Sequence, residues 1–337
     1  MENWQRSLQE AKLTVSELLA QLQLRSESMN ALHHMQDFPL RVTQSYVRRI
    51  EASNPNDPLL RQILPVADEL LAIPGYTHDP LQEKQANPVP GVLHKYHGRV
   101  LLTVTGACAI HCRYCFRRSF PYQENNPGKK GWERVFEYIQ NDPSIREVIL
   151  SGGDPLSVPD EHLAFLLGSL KQLPHLKRIR IHSRMPIVLP ERITPSLLSI
   201  LENLTLPVVM VIHCNHAQEI NDEVQAVLIN LHRACHSVLN QAVLLRGVND
   251  TVDALVSLSN ALFETQVQPY YLHLLDPVKG AHHFDVSQDK AIALMSDISK
   301  QLPGYLVPKL VKEVPGAAGK NVIGYHDNAS KMMRELA

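Results

Sequence analysis

The sequence lacks the features that mark membrane, secreted and nucleic-acid-binding proteins. No apolar run is long enough for a transmembrane helix, and the polar N-terminus, MENWQRSLQEAK, is unlike a signal peptide. The formal net charge is −1, so no basic excess indicates a nucleic-acid surface. We therefore expect no membrane and no nucleic acid among the partners, and a cytoplasmic protein.

Cysteine is also scarce, with five in 337 residues. These five do not make a disulfide framework, because three of them lie in one short stretch. The three are Cys108, Cys112 and Cys115, spaced C-x3-C-x2-C. A reduced compartment suits such free thiols.

Three thiolates this close together can bind one metal centre. A structural zinc ion takes four ligands, so this set is one short of a closed site. A four-iron cluster held by three cysteines leaves one iron open for a small molecule. Reduced bystander thiols, or a zinc site completed by Cys214, Cys235 or a histidine, remain alternatives at this point.

Residues 1–90 have the pattern of a helical and proline-rich N-terminal extension. Leucines at helical spacing predict helices over Ser7–Leu24 and Ser26–Gln36. Seven prolines in the second half of the extension predict a segment that wraps or links rather than forming a core. The core is expected over residues 91–325, followed by a short tail over 326–337.

From residue 99 onward, apolar β-branched runs alternate with helical patterns. The predicted strands are Val100–Val104, Glu147–Ser151, Arg178–His182, Val208–His213, Val238–Leu245 and Pro269–Leu275. The predicted helices are Trp132–Gln140, Glu161–Leu173, Pro195–Leu201, Asp222–His232, Val252–Phe263 and Gln288–Gln301. Six such units predict parallel strands with crossover helices.

Polar side chains concentrate where the predicted strands end. In strand order these are the cysteine loop, Gly152-Gly153-Asp154, His182-Ser183-Arg184, His213 and, after the sixth strand, Asp276. In a barrel of parallel strands, functional groups gather at the carboxyl ends. We therefore predict an α/β fold, an incomplete (β/α)6 barrel, with a doubly wound sheet as the alternative.

Two further segments have both an ordinary and a functional interpretation. Gly152-Gly153-Asp154 reads as a tight turn, since paired glycines often mark one. Lys320 follows a loop of small residues and reads as a solvated surface lysine. The functional interpretation of Lys320 is a lysine that bonds covalently to pyridoxal phosphate (PLP), leaving and returning on a bendable loop.

Together with the cysteine loop, several segments resemble the lysine 2,3-aminomutase family, radical S-adenosylmethionine (SAM) enzymes that also use PLP. They are DPLLRQ (57–62), VPGVLHKYHGRVLL (89–102), SGGDPL (151–156), RIRIHSRMPIVLPERIT (178–194), NQAVLLRGVND (240–250), PYYLHLLDPVKGAHHF (269–284) and the Lys320 loop. The resemblance implies a radical SAM barrel that converts L-lysine to β-lysine with a [4Fe–4S] cluster, SAM and PLP.

The resemblance also implies cofactor roles at matching positions. The cluster would be bound by Cys108, Cys112 and Cys115. The amino group of SAM would be held by Gly152, Gly153 and Asp154, with Tyr114 near the adenine. PLP would be bonded by Lys320, with its ring against Tyr96, its phosphate neutralised by Lys95 and Arg99, and Gln241 in a matching cofactor-site segment.

For the substrate, Arg117 would bind the lysine carboxylate bidentately, and Asp276 would bind the ε-ammonium. Glu313 stands where catabolic members place a second ammonium-binding aspartate, one methylene shorter. His273 stands where a tyrosine is expected, and the loop before Lys320 is poorer in glycine. These departures indicate differences in efficiency or stereochemical preference rather than loss of function.

The FRR and PYYLHLLD segments and the short C-terminus most resemble the branch that makes (R)-β-lysine for bacterial elongation factor P. That branch implies links to elongation factor P, to its lysyl-transferring ligase, and to an electron donor such as flavodoxin or ferredoxin. The alternatives are a free-standing catabolic lysine 2,3-aminomutase, a non-catalytic Fe–S or zinc protein, and a protein that binds a translation factor without catalysis.

Overall fold

The fold is built on one mixed β-sheet. The computed structural model describes residues 2–26 and 29–325. Within these ranges the sheet has nine strands in chain order: β1 (Val92–Tyr96), β2 (Arg99–Thr105), β3 (Glu147–Gly152), β4 (Arg178–Ser183), β5 (Val208–His213), β6 (Ser237–Val243), β7 (Gln268–His273), β8 (Lys309–Lys312) and β9 (Asn321–Val322).

Eleven α-helices accompany the sheet in the described part of the chain. They are α1 (Asn3–Glu10), α2 (Val15–Gln21), α3 (Gln44–Val47), α4 (Pro58–Arg61), α5 (Gly128–Asn141), α6 (Asp160–Leu170), α7 (Met185–Val188), α8 (Pro195–Glu202), α9 (Asp222–Ala234), α10 (Val252–Glu264) and α11 (Gln288–Gln301). Helices α5, α6, α8, α9, α10 and α11 lie between the successive strands β2 to β8 and match the six predicted helices.

Strands β2 to β8 are parallel, whereas β1 pairs antiparallel with β2 and β9 pairs antiparallel with β8. Among the described residues, β1 and β9 pair with one strand each, so the sheet does not close. The strand order follows the chain order throughout. A doubly wound sheet reverses its order at a switch point, so the incomplete barrel is confirmed and that alternative is wrong.

The core lies on both sides of the strands, because helices cover the outside of the barrel. Strand β3 is buried along its whole length. Strand β6 instead alternates buried with partly exposed residues. Helix α6 turns Leu163, Leu166 and Leu170 inward at helical spacing, and all three are fully buried.

The N-terminal extension contains one break that the leucine pattern did not reveal. The helix predicted over Ser7–Leu24 is wrong as a single element, since α1 and α2 are separate. Thr14 caps α2: its hydroxyl accepts from the Glu17 N–H at 3.2 Å, and the Glu17 carboxylate accepts from the Thr14 N–H at 2.7 Å. This reciprocal capping starts a new helix.

The helix predicted over Ser26–Gln36 is also wrong where it can be compared. Residues 29–36 are non-helical, and residues 27–28 lie outside the described ranges. The backbone bonds to a later segment instead, with the Leu32 N–H donating to the Pro65 carbonyl at 2.9 Å. This tertiary partner outweighs local helix propensity.

The extension nevertheless packs into the main core rather than beside it. Trp4, Leu18 and Leu59 are buried in the same apolar cluster as the barrel residues Leu102 and Ile181. The predicted tail over 326–337 lies outside the described residues. No helix in the described part of the chain is long and apolar enough to cross a bilayer.

Candidate active site

One cavity of about 480 Å³ opens at the carboxyl ends of the strands. All the residues that the sequence singled out for the site line it. They are Lys95, Tyr96, Arg99, Cys108, Cys112, Tyr114, Cys115, Arg117, Gly152, Gly153, Asp154, Gln241, Asp276, Glu313 and Lys320. A cavity of this size suits one or two small organic molecules.

The cysteine loop follows β2 and is fixed by the N-terminal extension. The Arg113 N–H donates to the Gln62 carbonyl at 2.9 Å, and the His111 N–H donates to the Arg41 carbonyl at 3.0 Å. The Arg113 side chain is fully buried and binds Glu69 bidentately, at 2.8 and 2.7 Å. The extension therefore sets the shape of this loop.

The three cysteines of the loop are partly exposed and have free thiols. No three His, Cys, Asp or Glu side chains among the described residues surround a single-ion position. Burial, and then the negative charge of the neighbouring Cys112, raise the pKa of Cys115 to about 11. The Arg184 guanidinium donates to Cys112 Sγ at 2.6 Å. Because burial disfavours the charged form of a thiol, anionic thiolates in this loop need a positive charge such as that of Arg184 beside them.

Gly152 and Gly153, at the end of β3, must be glycines because the backbone of the cysteine loop lies directly against them. Gly152 has φ +119°, and a Cβ there would lie 2.6 Å from the Thr105 carbonyl oxygen. A Cβ at Gly153 would lie 2.5 Å from the Ala107 carbonyl oxygen. The Gly153 N–H donates to the Thr105 carbonyl at 2.7 Å. The glycines thus admit neighbouring backbone, which is a different reason from close approach of a ligand.

The Asp154 carboxylate is fully occupied by the protein. One oxygen accepts from the Leu156 N–H and the Ser183 hydroxyl, at 3.0 and 2.8 Å. The other accepts from the N–H groups of Arg184 and Met185, at 2.7 and 3.2 Å. Burial raises its pKa to about 6. With about four lone-pair positions used, this carboxylate fixes the strand ends and has no acceptor left for a ligand ammonium.

Lys320 lies on the loop before β9 and is bound by Glu313. Its Nζ is 2.6 Å from Glu313 Oε2, and the Tyr96 hydroxyl donates to Glu313 Oε1 at 2.5 Å. Burial alone would raise the pKa of Glu313, but Lys320 and Tyr96 lower it to about 2. Lys320 Nζ also lies 5.8 Å from the Tyr271 ring centroid. Glu313 is therefore an anion already paired with Lys320.

Asp276 is the contrasting carboxylate of the cavity. Among the described residues, no side chain donates a hydrogen bond to it or forms an ion pair with it. Burial, and then the negative charge of Glu313, raise its pKa to about 7. An ammonium placed here would gain an unshared carboxylate.

The basic residues cluster around one carboxylate that the sequence did not single out, Glu83. Arg117 binds it through Nε at 2.7 Å and Nη2 at 2.8 Å, and Lys95 Nζ lies 3.1 Å from it. Arg99 lies elsewhere, with its Cζ 4.8 Å from the Tyr96 ring centroid. Glu83 follows the polar stretch THDPLQ, where no motif marks it.

Tyr114 is held by its hydroxyl in a buried polar network. Arg184 Nη1 donates to it at 2.5 Å and Asn215 Nδ2 at 2.7 Å. Arg184 also donates to Glu219 at 2.9 Å. The sequence predicts that Arg184 lies at a strand end. It does not predict the contact with Cys112, because only the folded chain brings the two residues together.

Three neutral imidazoles complete the lining: His182, His213 and His273. Burial lowers the pKa of all three, that of His213 to about 3. Gln241 Nε2 lies 2.9 Å from His213 Nε2. The Nε2 atoms of His182 and His273 are buried without a hydrogen-bond partner in the described structure.

Comparison with known proteins places this site in a family. The model of the radical SAM superfamily matches residues 102–258. An L-lysine 2,3-aminomutase of Escherichia coli (strain K12) is 47% identical over 321 residues, which are 95% of this chain and 94% of that protein. The chain belongs to the lysine 2,3-aminomutase family.

Other members of the lysine 2,3-aminomutase family match over similar lengths. That of Haemophilus influenzae is 43% identical, covering 95% of each chain. That of Clostridium subterminale is 36% identical over 95% of this chain but only 77% of its own length. Lysine 2,3-aminomutases are radical SAM isomerases that use a [4Fe–4S] cluster, SAM and PLP.

The residues present fit these cofactors of the family. Three partly exposed thiols on one loop match the donor set of a cluster with an open iron. The Lys320 amine reaches the same cavity, where Lys95, Arg99 and Arg180 would supply positive charge for a phosphate. One cavity therefore contains both the thiols for a cluster and the lysine and cations for PLP.

Proposed function

We propose that this chain is a radical SAM, PLP-dependent lysine 2,3-aminomutase that converts L-lysine to (R)-β-lysine for modification of elongation factor P. The observation that carries the proposal is the opening of the three-cysteine loop and Lys320 into one cavity. A simple electron carrier or zinc scaffold needs only the cysteines. The lysine, the cations and the unpaired Asp276 carboxylate favour catalysis on a diamine.

When bound, the cluster, SAM and PLP supply the radical chemistry and carry the migrating amino group, so the protein contributes position and electrostatics. Cys108, Cys112 and Cys115 would hold the cluster, and Lys320 would hold PLP covalently. Glu313 Oε2 binds the protonated Lys320 amine at the wall of the cavity, as the 2.6 Å contact between them supports.

Substrate lysine is held at both ends in this proposal. Arg117 binds its carboxylate, and Asp276 binds its ε-ammonium. Fixing both ends would place one C–H bond of the substrate at a defined point of the cavity, and such positioning is what selective radical chemistry needs from the protein.

The supply of (R)-β-lysine for modification of elongation factor P is the finer part of the proposal. It is supported by the match to the E. coli relative over nearly the whole of both chains. The partners proposed are elongation factor P, its lysyl-transferring ligase, and a flavodoxin or ferredoxin as electron donor. A free-standing catabolic aminomutase is the alternative within the same chemistry.

The test is an anaerobic assay of reconstituted protein with L-lysine, SAM, PLP and dithionite, read by chiral chromatography of β-lysine. We expect (R)-β-lysine from the wild type and none from Cys112→Ala or Lys320→Ala. Cys235→Ala is the matched control, because this buried thiol at the end of α9 does not line the cavity, and it should keep activity.

Two further measurements separate the parts of the proposal. Borohydride reduction should fix PLP to the wild type and not to Lys320→Ala. The purified ligase should then transfer the product to elongation factor P. Cluster and PLP bound without β-lysine would refute the lysine substrate, whereas β-lysine that the ligase rejects would favour the catabolic alternative.

A further inference from the structure

The protein occupies some, but not all, of the N–H donors of the Arg117 guanidinium. Its Nε and Nη2 donate to the two oxygens of Glu83, at 2.7 and 2.8 Å, and its Nη1 donates to the Ser151 hydroxyl at 3.2 Å. A guanidinium has five N–H donors. Three are used, so one N–H remains on each terminal nitrogen.

These two N–H groups, one on Nη1 and one on Nη2, remain as charged donors for a carboxylate. The side-on pair, Nε with Nη2, is taken by Glu83. A substrate carboxylate must therefore approach the end of the guanidinium, and the direction of that end is set by Glu83. Arg117 lines the cavity, so a ligand held there would meet the N–H groups that the protein leaves free.

Glu83 is itself firmly placed. Glu83 is 3% exposed, and its backbone N–H donates to Asp79 Oδ1 at 2.9 Å. It also binds Lys95 Nζ at 3.1 Å. Burial alone would raise the pKa of Glu83, but the Arg117 guanidinium lowers it below the ordinary value, so the carboxylate is an anion. One anion thus joins two cations of the cavity.

We infer that Glu83 is a positioning residue that fixes Arg117 side-on, so that the end of the guanidinium recognises the α-carboxylate of the amino-acid substrate. This inference rests on the proposed lysine substrate and on Arg117 as its partner. It predicts that Glu83 determines selection for a carboxylate and contributes little to binding of the diamine chain.

The experiment compares L-lysine with 1,5-diaminopentane, which is lysine without its carboxylate. Dissociation constants are measured by calorimetry on the anaerobic PLP-loaded holoenzyme without reductant, so no turnover occurs. In Glu83→Gln the amide NH2 faces an Arg117 N–H, so the guanidinium turns away. We expect lysine to bind about tenfold more weakly or worse, with diaminopentane unchanged.

Asp160→Asn is the matched control. Asp160 also pairs with a buried arginine, Arg192, at 2.7 Å, but neither residue lines the cavity. This variant should lose stability and keep the wild-type preference for lysine. Glu83→Asp keeps the charge on a shorter side chain and should give an intermediate preference; it decides the test should Glu83→Gln not fold.

Each result has a distinct meaning. An unchanged preference in the folded Glu83 variants overturns the inference. Tighter lysine binding in Glu83→Gln also overturns it, since Glu83 would then compete with the substrate. A wild type that binds neither lysine nor diaminopentane refutes the proposed function instead, because that result does not involve Glu83.

Discussion

At the scale of single residues, two carboxylates in one cavity differ in their ionisation. Glu313 binds Lys320, Tyr96 and Lys95, and its pKa falls to about 2 although burial alone would raise it. Asp276 has no such partner among the described residues, and burial raises its pKa to about 7. Opposed pKa values in one site indicate different roles. We assign Glu313 to Lys320 and Asp276 to the substrate ammonium.

Lysine binding should therefore depend on pH through Asp276. Below about pH 7 the carboxyl is protonated, and lysine must displace that proton. The dissociation constant should rise toward tenfold per pH unit below that point and stay level just above it. Calorimetry on the PLP-loaded protein at about pH 6 and about pH 8 measures this change.

Asp276→Asn should bind lysine weakly at both pH values and lose this slope while keeping its cluster. Asp297→Asn is the control, because Asp297 is 53% exposed and pairs only with the neighbouring Lys300 in the contacts described. It should keep the wild-type slope. A slope that survives in Asp276→Asn would contradict the assignment.

At the scale of elements, the turn after β3 and the loop after β2 act as one unit. The Asp154 N–H donates to the Ala107 carbonyl at 2.8 Å, and the Tyr122 hydroxyl donates to the Gly152 carbonyl at 2.8 Å. The Asp154 carboxylate extends this link to the end of β4. The cysteine geometry consequently depends on a neighbouring turn that carries no cysteine.

Gly153→Ala tests this dependence. Its Cβ would meet the Ala107 carbonyl oxygen at 2.5 Å, so the cysteine loop must move. We expect a loss of about 1–3 kcal/mol in unfolding free energy and fewer irons bound per chain. Iron content and denaturant titration measure both effects.

Gly168→Ala is the matched control within α6. Nothing lies within 4 Å of a Cβ placed there. Alanine in a helix interior should then stabilise the protein by up to about 1 kcal/mol, with iron content unchanged. Equal iron loading in the two variants would show that the turn does not shape the cysteine loop.

At the scale of the whole molecule, the N-terminal extension is part of the barrel's core. The Trp4 ring lies 4.3 Å from the Arg192 guanidinium, which is fully buried and binds Asp160 at 2.7 Å. Glu69 and Gln62 of the same extension fix the cysteine loop. The boundary predicted at residue 90 remains a prediction about domains, but the contacts cross it throughout.

Trp4→Ala should therefore destabilise the whole protein rather than free the extension alone. Removing this 1% exposed indole should cost about 3–5 kcal/mol of unfolding free energy. Leu71→Ala, at a side chain 52% exposed, should change it by less than about 0.5 kcal/mol. Denaturation followed by circular dichroism checks both, and loss of α1 alone in a separate early transition would contradict the shared core.

The sequence by itself determined the barrel and many of the residues that line the cavity. Alternating apolar runs and helical patterns are local signals, so β2 to β7 and their helices were predicted with small errors at the ends. The short strands β1, β8 and β9 have weaker patterns and were missed. The cysteine spacing and the family segments identified the residues of the cavity, because covalent cofactor chemistry requires particular side chains.

Only the tertiary structure decided how those residues are paired. Glu83 meets Arg117 across 34 positions of sequence, and Glu69 meets Arg113 across 44. Burial makes an unpaired charge costly, so each buried ion takes whichever partner the fold brings near. The fold supplies four donors to the Asp154 carboxylate, whereas no described side chain donates to the Asp276 carboxylate, whose pKa burial raises instead. Such choices depend on the distance between side chains in the folded protein, which no local pattern specifies.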